Sequence, residues 1–253
     1  MALYNKLDKR LLKQKLAEES FKRVTLSFYK QAKIEDVEAF RNDLYRTWEQ
    51  YSVFGRIYVA KEGINAQLSV PEPHFEAWKK ALYSIDFLDN VRLNIAVEDD
   101  GKSFYKLKIK IRPKILADGL NDDTFEVTNK GKHLSAEEFN ELTADKETVI
   151  VDMRNHYESE VGHFDNAICP DVDTFRDSLP IVEDILEGKE DKNIVMYCTG
   201  GIRCEKASAW FKHRGFKKVH QLEGGIINYA REVEKKGLKN KFKGKNFVFD
   251  DRL

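Results

Sequence analysis

Apolar and polar positions along the chain change period near its middle, which separates two differently built halves. Residues 3–19 are charged and helix-prone, with Leu3, Leu7, Leu11 and Leu12 near helical spacing, so a leading helix is expected within residues 1–19. Val24-Thr25-Leu26-Ser27-Phe28 alternates as a strand, and Ile34, Val37, Phe40, Leu44 and Trp48 mark one face of a helix. Arg56 to Ala60, the turn Lys61-Glu62-Gly63 and Ile64 to Val70 form a predicted hairpin. Phe75, Trp78, Leu82 and Ile85 make a second helical face, and Val91 to Val97 supplies another strand. The order βαββαβ over residues 20–115 predicts an α+β domain of the ferredoxin-like, acylphosphatase-like type, with two helices on one face of an antiparallel sheet. An extra strand, Tyr105 to Ile111, closes this region before Pro113.

Residues 116–132 carry Asp118-Gly119-Leu120-Asn121-Asp122-Asp123 and little periodicity, as a linker would. Beyond it the pattern becomes α/β over residues 133–236. Ser135 with Glu138 forms a capping-box start for a short helix. Thr148 to Asp152, Asn193 to Tyr197 and Lys218 to Leu222 are continuous apolar runs of the parallel-strand type, each followed by a helix. Residues 237–253 are expected to form a basic tail.

The total of 253 residues suits two domains of roughly 100–130 residues each. With 43 Lys and Arg against 43 Asp and Glu the formal net charge is zero, so an anionic partner must be held by local patches. The first residues show no apolar signal-peptide core, and no stretch approaches the ~20 apolar residues of a membrane span, which predicts a cytoplasmic protein with no membrane partner. Three cysteines, Cys169, Cys198 and Cys204, are odd in number and form no Cys-x-x-Cys pair, against a disulfide framework or a zinc knuckle.

Cys198 carries the chemistry. It follows a buried-type strand directly and precedes a helix whose apolar face includes Ala207, Trp210 and Phe211. In such a turn, Cys198-Thr199-Gly200-Gly201-Ile202-Arg203, backbone amides and the helix N-terminus point inward, and Arg203 adds a fixed positive charge. Two glycines let the backbone curl around the sulfur. The thiol pKa should therefore fall below its free value of about 8.5. The bland alternative is a small buried hydrophobe in an ordinary strand–helix turn. A cysteine phosphatase uses similar electrostatics, but its signature is Cys-x5-Arg, and Cys198 to Arg203 is one residue shorter.

Asp152-Met153-Arg154, Glu158, Gly162-His163-Phe164, Ala167, the loop 198–203 and Glu223-Gly224-Gly225 together resemble the rhodanese fold over about residues 133–236. Lys61-Glu62-Gly63-Ile64-Asn65, Val172-Asp173-Thr174-Phe175-Arg176, Cys198 to Lys206 and Phe247-Val248-Phe249-Asp250-Asp251-Arg252 further resemble the TrhO family, bacterial rhodanese-domain tRNA uridine hydroxylases, across almost the whole chain. That resemblance implies oxygen-dependent 5-hydroxylation of the wobble uridine of tRNA, with Cys198 and Arg203 catalytic, Thr199, Gly200, Gly201 and Ile202 in the active-site loop, and molecular oxygen as co-substrate. It departs at the end: family members often carry a cysteine before Phe-Val-Phe-Asp and continue into a cysteine-rich tail, where this chain has Asn246 and ends at Leu253.

The remaining candidates have two readings each. Cys204 acts as a second, resolving thiol or fills space. Cys169 has no activating neighbours, so a structural role leads; His163 orders its loop rather than acting as a base. Asp152 and Arg154 fit a buried ion pair bracing the adjacent turn. Lys106, Lys108, Lys110, Arg112 and Lys114 alternate with apolar residues, placing five cations on one face, either as tRNA contacts or as edge-strand protection. Lys235, Lys236, Lys239, Lys241, Lys243 and Lys245 form a second basic run or a solvated tail. Loop chemistry alone favours a sulfurtransferase that passes a Cys198 persulfide to an acceptor, and the resemblance favours the hydroxylase. A non-catalytic RNA-binding module is the third reading, opposed by the intact loop. No flavin, haem or non-haem iron signature is present, no DNA partner is indicated, and the oligomeric state is not legible.

Overall fold

The computed structural model describes residues 8–96, 101–121 and 125–247, so Leu3, Leu7, Val97, Asp122, Asp123 and the segment 248–253 lie outside the described residues. The chain divides into two compact units between Ile115 and Leu116.

In the first unit, α1 (Lys9–Glu18) is capped by Asp8, whose carboxylate accepts from the Arg10 amide at 2.7 Å. Then come β1 (Arg23–Gln31), α2 (Val37–Gln50), β2 (Phe54–Ala60), β3 (Gly63–Pro71), α3 (Phe75–Tyr83), β4 (Asn94–Ile95) and β5 (Leu107–Ile111). The sheet order is β4-β1-β3-β2-β5, with the first four strands antiparallel to their neighbours as the βαββαβ reading requires. Leu26, Phe28, Ile57, Val59, Ile64, Ala66 and Leu68 pack beneath Leu44, Trp48, Trp78 and Leu82 of the two helices. The strand expected over Val91 to Val97 is realised only at Asn94 and Ile95. β5 pairs parallel to β2, so the sheet is mixed rather than antiparallel. Its chain crosses from the opposite edge, and a crossover delivers a strand in either sense where a hairpin cannot.

The second unit holds β6 (Lys132–Leu134), α4 (Ala136–Leu142), β7 (Val149–Asp152), α5 (His156–Val161), β8 (Gly162–Phe164), α6 (Phe175–Leu186), β9 (Asn193–Tyr197), α7 (Ile202–His213), β10 (Lys218–Leu222), α8 (Gly225–Lys236) and β11 (Phe242–Gly244). β6, β10, β9 and β7 form a four-stranded sheet, parallel throughout. Both faces are covered. Ile194, Met196 and Cys198 face a cluster with α6 and α7, whereas Val195 and Tyr197 face one with α4 and α8. Two buried faces are why these strands read as continuous apolar runs. No helix among the described residues is long and apolar enough to cross a membrane.

Two expectations need correction. The supposed linker packs on the second unit: Leu116 and Leu120 lie against its core, and Asp118 pairs with Lys206 at 2.6 Å, both side chains 1% exposed. Phe125 sets its ring edge-on to Trp210 at 5.6 Å. These anchors are irregularly spaced, so no periodicity announced them. The basic tail is likewise partly structured. β11 pairs antiparallel with β8, and the Lys241 amide donates to the Tyr229 hydroxyl at 2.9 Å. α6 has no counterpart among the expected elements, and its Pro180 sits inside the helix.

Removing one partner from a sealed ion pair takes away the other's buried counterion, which typically costs about 3–5 kcal/mol. Asp118→Ala is expected to lower stability by that order in urea unfolding, and a cost below about 1 kcal/mol would show that the segment after Ile115 is not anchored there.

Candidate active site

Alternation along β9 carries one residue past the strand and directs Cys198 into the core on the α7 side, where it is 1% exposed. The backbone then turns through Gly201, whose φ of 100° is the left-handed region that favours glycine, and enters α7. Gly200 does not share that left-handed φ. The Gly201 amide donates to Cys198 Sγ at 3.1 Å. From the other side the first amides of α8 hold the loop carbonyls: Ile226 donates to Cys198 O at 3.0 Å and Ile227 to Thr199 O at 3.2 Å. Gly225 makes that approach possible. Its φ is 65°, and a Cβ there would lie 2.4 Å from Cys198 O. The Glu223-Gly224-Gly225 signature is thus half of the same loop.

The loop's outer wall is set by a residue to which sequence reasoning gave no role. Glu158 of α5 is fully buried and takes a two-point ion pair from Arg203, Nη1 to Oε2 at 2.6 Å and Nη2 to Oε1 at 2.9 Å. Thr199 Oγ1 donates to the same carboxylate at 3.1 Å and accepts from Arg203 Nη2 at 3.2 Å. The Asn155 amide completes it at 3.0 Å as a capping box. Burial would raise the Glu158 carboxyl, but Arg203 and these donors hold it below the usual carboxylate range. The spacing Asn155-x-x-Glu158 was a readable capping signal, yet nothing in it pointed 45 residues ahead.

Burial by itself would push the Cys198 thiol up. A hydrogen bond from the Cys204 thiol, the Arg203 charge and the amides of Cys204 and Gly201 outweigh it and bring the pKa down to about 6. Cys204 shifts the opposite way, raised by its own burial and by the neighbouring thiolate, so it stays protonated as a donor. Cys204 is thus a buried partner of the thiolate.

The other candidates separate. Asp152 and Arg154 pair at 2.6 Å with no exposure, and Arg154 also donates to Gly162 O at 2.5 Å, bracing the turn. Burial raises the thiol pKa of Cys169. His163 Nδ1 lies 3.0 Å from Ser159 O, a loop contact. Of the five expected cations, Lys108 and Lys110 lie in β5, Lys106 and Arg112 flank it, and Lys114 follows Pro113. The lysine run disperses: Lys235 and Lys236 end α8, Lys241 Nζ donates to Asn140 O at 2.7 Å, and Lys243 pairs with Asp165.

With a Cys198 pKa of about 6, the thiolate dominates at neutral pH and is lost as pH falls through that value. An ultraviolet thiolate titration should show a step at about pH 6 in the wild type, no such step in Cys198→Ser, and an upward-shifted step in Cys204→Ala; a Cys204→Ala midpoint equal to wild type would remove that thiol from the electrostatics. Glu158→Gln should shift the step too, since Arg203 loses its two-point anchor, and should destabilise the protein by about 1–3 kcal/mol in urea unfolding.

The geometry has counterparts among known proteins. Residues 23–115 match the family model described as a UPF0176 acylphosphatase-like domain, and residues 135–232 match the rhodanese-like domain. The chain is 59% identical over 251 residues to a protein of Leptospira interrogans named tRNA uridine(34) hydroxylase, covering 99% of this chain and 68% of that protein. Proteins of the same name from Photorhabdus laumondii and Pectobacterium atrosepticum are 54% and 56% identical over 252 residues, again 99% of this chain and 72% and 71% of theirs. With both domains matched in order and more than half of its positions shared with these relatives, the chain belongs to the tRNA uridine(34) hydroxylase family.

Proposed function

We propose that this protein hydroxylates uridine 34, the wobble position of tRNA, at ring carbon 5, with Cys198 as its essential reactive group and molecular oxygen as co-substrate. One oxygen atom goes to carbon 5 and the other leaves as water, with two electrons and two protons from an external reductant. The observation that carries the reading is identity of 54–59% across 99% of the chain to relatives of that named activity. The site supports it. A thiolate is a strong nucleophile, and here it stands at the N-terminus of α7 with the Gly201 amide on its sulfur. Arg203, held by Glu158, keeps positive charge beside it without itself bonding the sulfur among the hydrogen bonds described. Thr199, Gly200 and Ile202, each half-buried, form the rim a substrate would meet first. Lys106, Lys108, Lys110, Arg112 and Lys114 are assigned to the tRNA backbone. The protein acts as a soluble cytoplasmic enzyme in this reading.

The same cradle suits a persulfide, which keeps sulfur transfer as the competing activity. Mass spectrometry of tRNA nucleosides separates the two. Deleting the gene should abolish 5-hydroxyuridine and its derivatives, the wild-type gene should restore them, and Cys198→Ser should not. Unchanged hydroxylation together with loss of thiosulfate-to-cyanide sulfur transfer would select the sulfurtransferase.

A further inference from the structure

The first unit's sheet uses only one of its faces for the core. Side chains alternate along each strand, so the registers align the residues that point away from α2 and α3. One row runs Ser27, Gln67, Arg56, Lys108 across β1, β3, β2 and β5, and the next runs Tyr29, Asn65, Tyr58, Lys110. One end of this face is closed, because the Arg23 guanidinium donates to Ser69 O at 3.1 Å and lies 3.9 Å from the Phe54 ring centre. The rows beyond it open toward β2 and β5: Arg56 and Lys108 are exposed and Lys110 and Tyr58 half-buried, whereas Ser27, Gln67 and Tyr29 are half-buried and Asn65 Nδ2 donates to Ile115 O at 3.3 Å.

The chemistry of these rows is one-sided. None of the residues of β1, β2, β3 or β5 is acidic. Lys108, Lys110 and Arg112 make no ion pair among the described residues, and Lys110 loses proton affinity first to Lys108, then to Arg112, with Arg56 adding to it. Like charges crowded together raise the local potential and attract a polyanion. Among them stands an aromatic surface. The Arg112 guanidinium lies over the Tyr58 ring at 5.5 Å, and Tyr29 shares the row two strands away, about 10 Å across. Edge protection alone calls for lysines, and does not call for a tyrosine beneath an arginine inside the row.

Resting on the tRNA reading above, we propose that this open sheet face is a platform for an unpaired stretch of the tRNA, in which a base stacks on Tyr58 while Arg56, Lys108, Lys110 and Arg112 hold the flanking phosphates. Unpaired nucleotides are the form of RNA whose base faces are free to stack, whereas a duplex offers mainly its backbone. The face therefore discriminates loop from stem, and the rhodanese-like unit carries the reactive sulfur.

The test uses the intact chain with two labelled RNAs of equal length and charge: a hairpin with an anticodon-sized loop, and a fully paired duplex. The wild type should favour the hairpin. Tyr58→Leu should lose roughly ten-fold or more of hairpin affinity, as expected when one base no longer stacks, with duplex affinity unchanged. Tyr58→Phe, which keeps the ring, should bind like wild type and so separates loss of stacking from damage to the fold. Lys108→Gln with Lys110→Gln should weaken both RNAs and flatten the salt slope by about 0.7–0.9 for each phosphate no longer neutralised. Tyr58→Leu that binds the hairpin like wild type overturns the platform, as does a lysine double variant that aggregates with its RNA affinity and salt slope intact. If the variants bind normally while the wild type still hydroxylates tRNA, only the platform fails. If the wild type binds neither RNA and forms no 5-hydroxyuridine, the tRNA reading fails with it.

Discussion

A charged sulfur inside an apolar core is the constraint around which the second unit is built. Desolvation opposes the thiolate of Cys198, so every favourable interaction must be placed before the site can exist. None comes from the strand that carries it. The Gly201 amide and the α7 N-terminus follow in sequence, but the amides fixing the loop carbonyls belong to α8, and the carboxylate fixing Arg203 belongs to α5. The loop is thus a point where three helices meet one strand end, and its geometry depends on all of them.

Glu158 shows how that dependence is organised. A buried carboxylate is costly unless its oxygens are satisfied, and here they are met by Arg203, Thr199 and the Asn155 amide. The same bonds give Arg203 a single orientation beside the sulfur. The Cys204 thiol and the loop amides act on the sulfur alongside the arginine. Cys204 fills that role because its own burial keeps it protonated.

The first unit meets a different requirement. Its sheet needs one apolar face to pack α2 and α3, and the period-two alternation then leaves the other face to polar side chains. That remainder is basic and aromatic rather than mixed in charge, a choice that folding does not demand. The chain's zero net charge conceals it, since patches and totals are independent quantities.

Local patterning carried much of this protein. The βαββαβ order, the hairpin at Lys61-Glu62-Gly63, the Ser135 capping box and the strands at 193–197 and 218–222 all follow from periods and caps that act within a few residues. Cys198 was legible for the same reason: cysteine, glycines and arginine lie in six consecutive positions. What depends on distant residues was not legible. The parallel pairing of β5, the anchoring of Asp118 on Lys206, the strand formed by Phe242–Gly244 and the grip of Glu158 on Arg203 join residues tens of positions apart. By itself, then, the sequence determined most of the helices and strands and brought a cysteine, glycines and an arginine into one strand–helix turn, because those depend on local backbone preference and side-chain chemistry. Only the tertiary structure decided which charges would be buried together and how the thiolate would be compensated, because desolvation and Coulomb energies depend on distances through space.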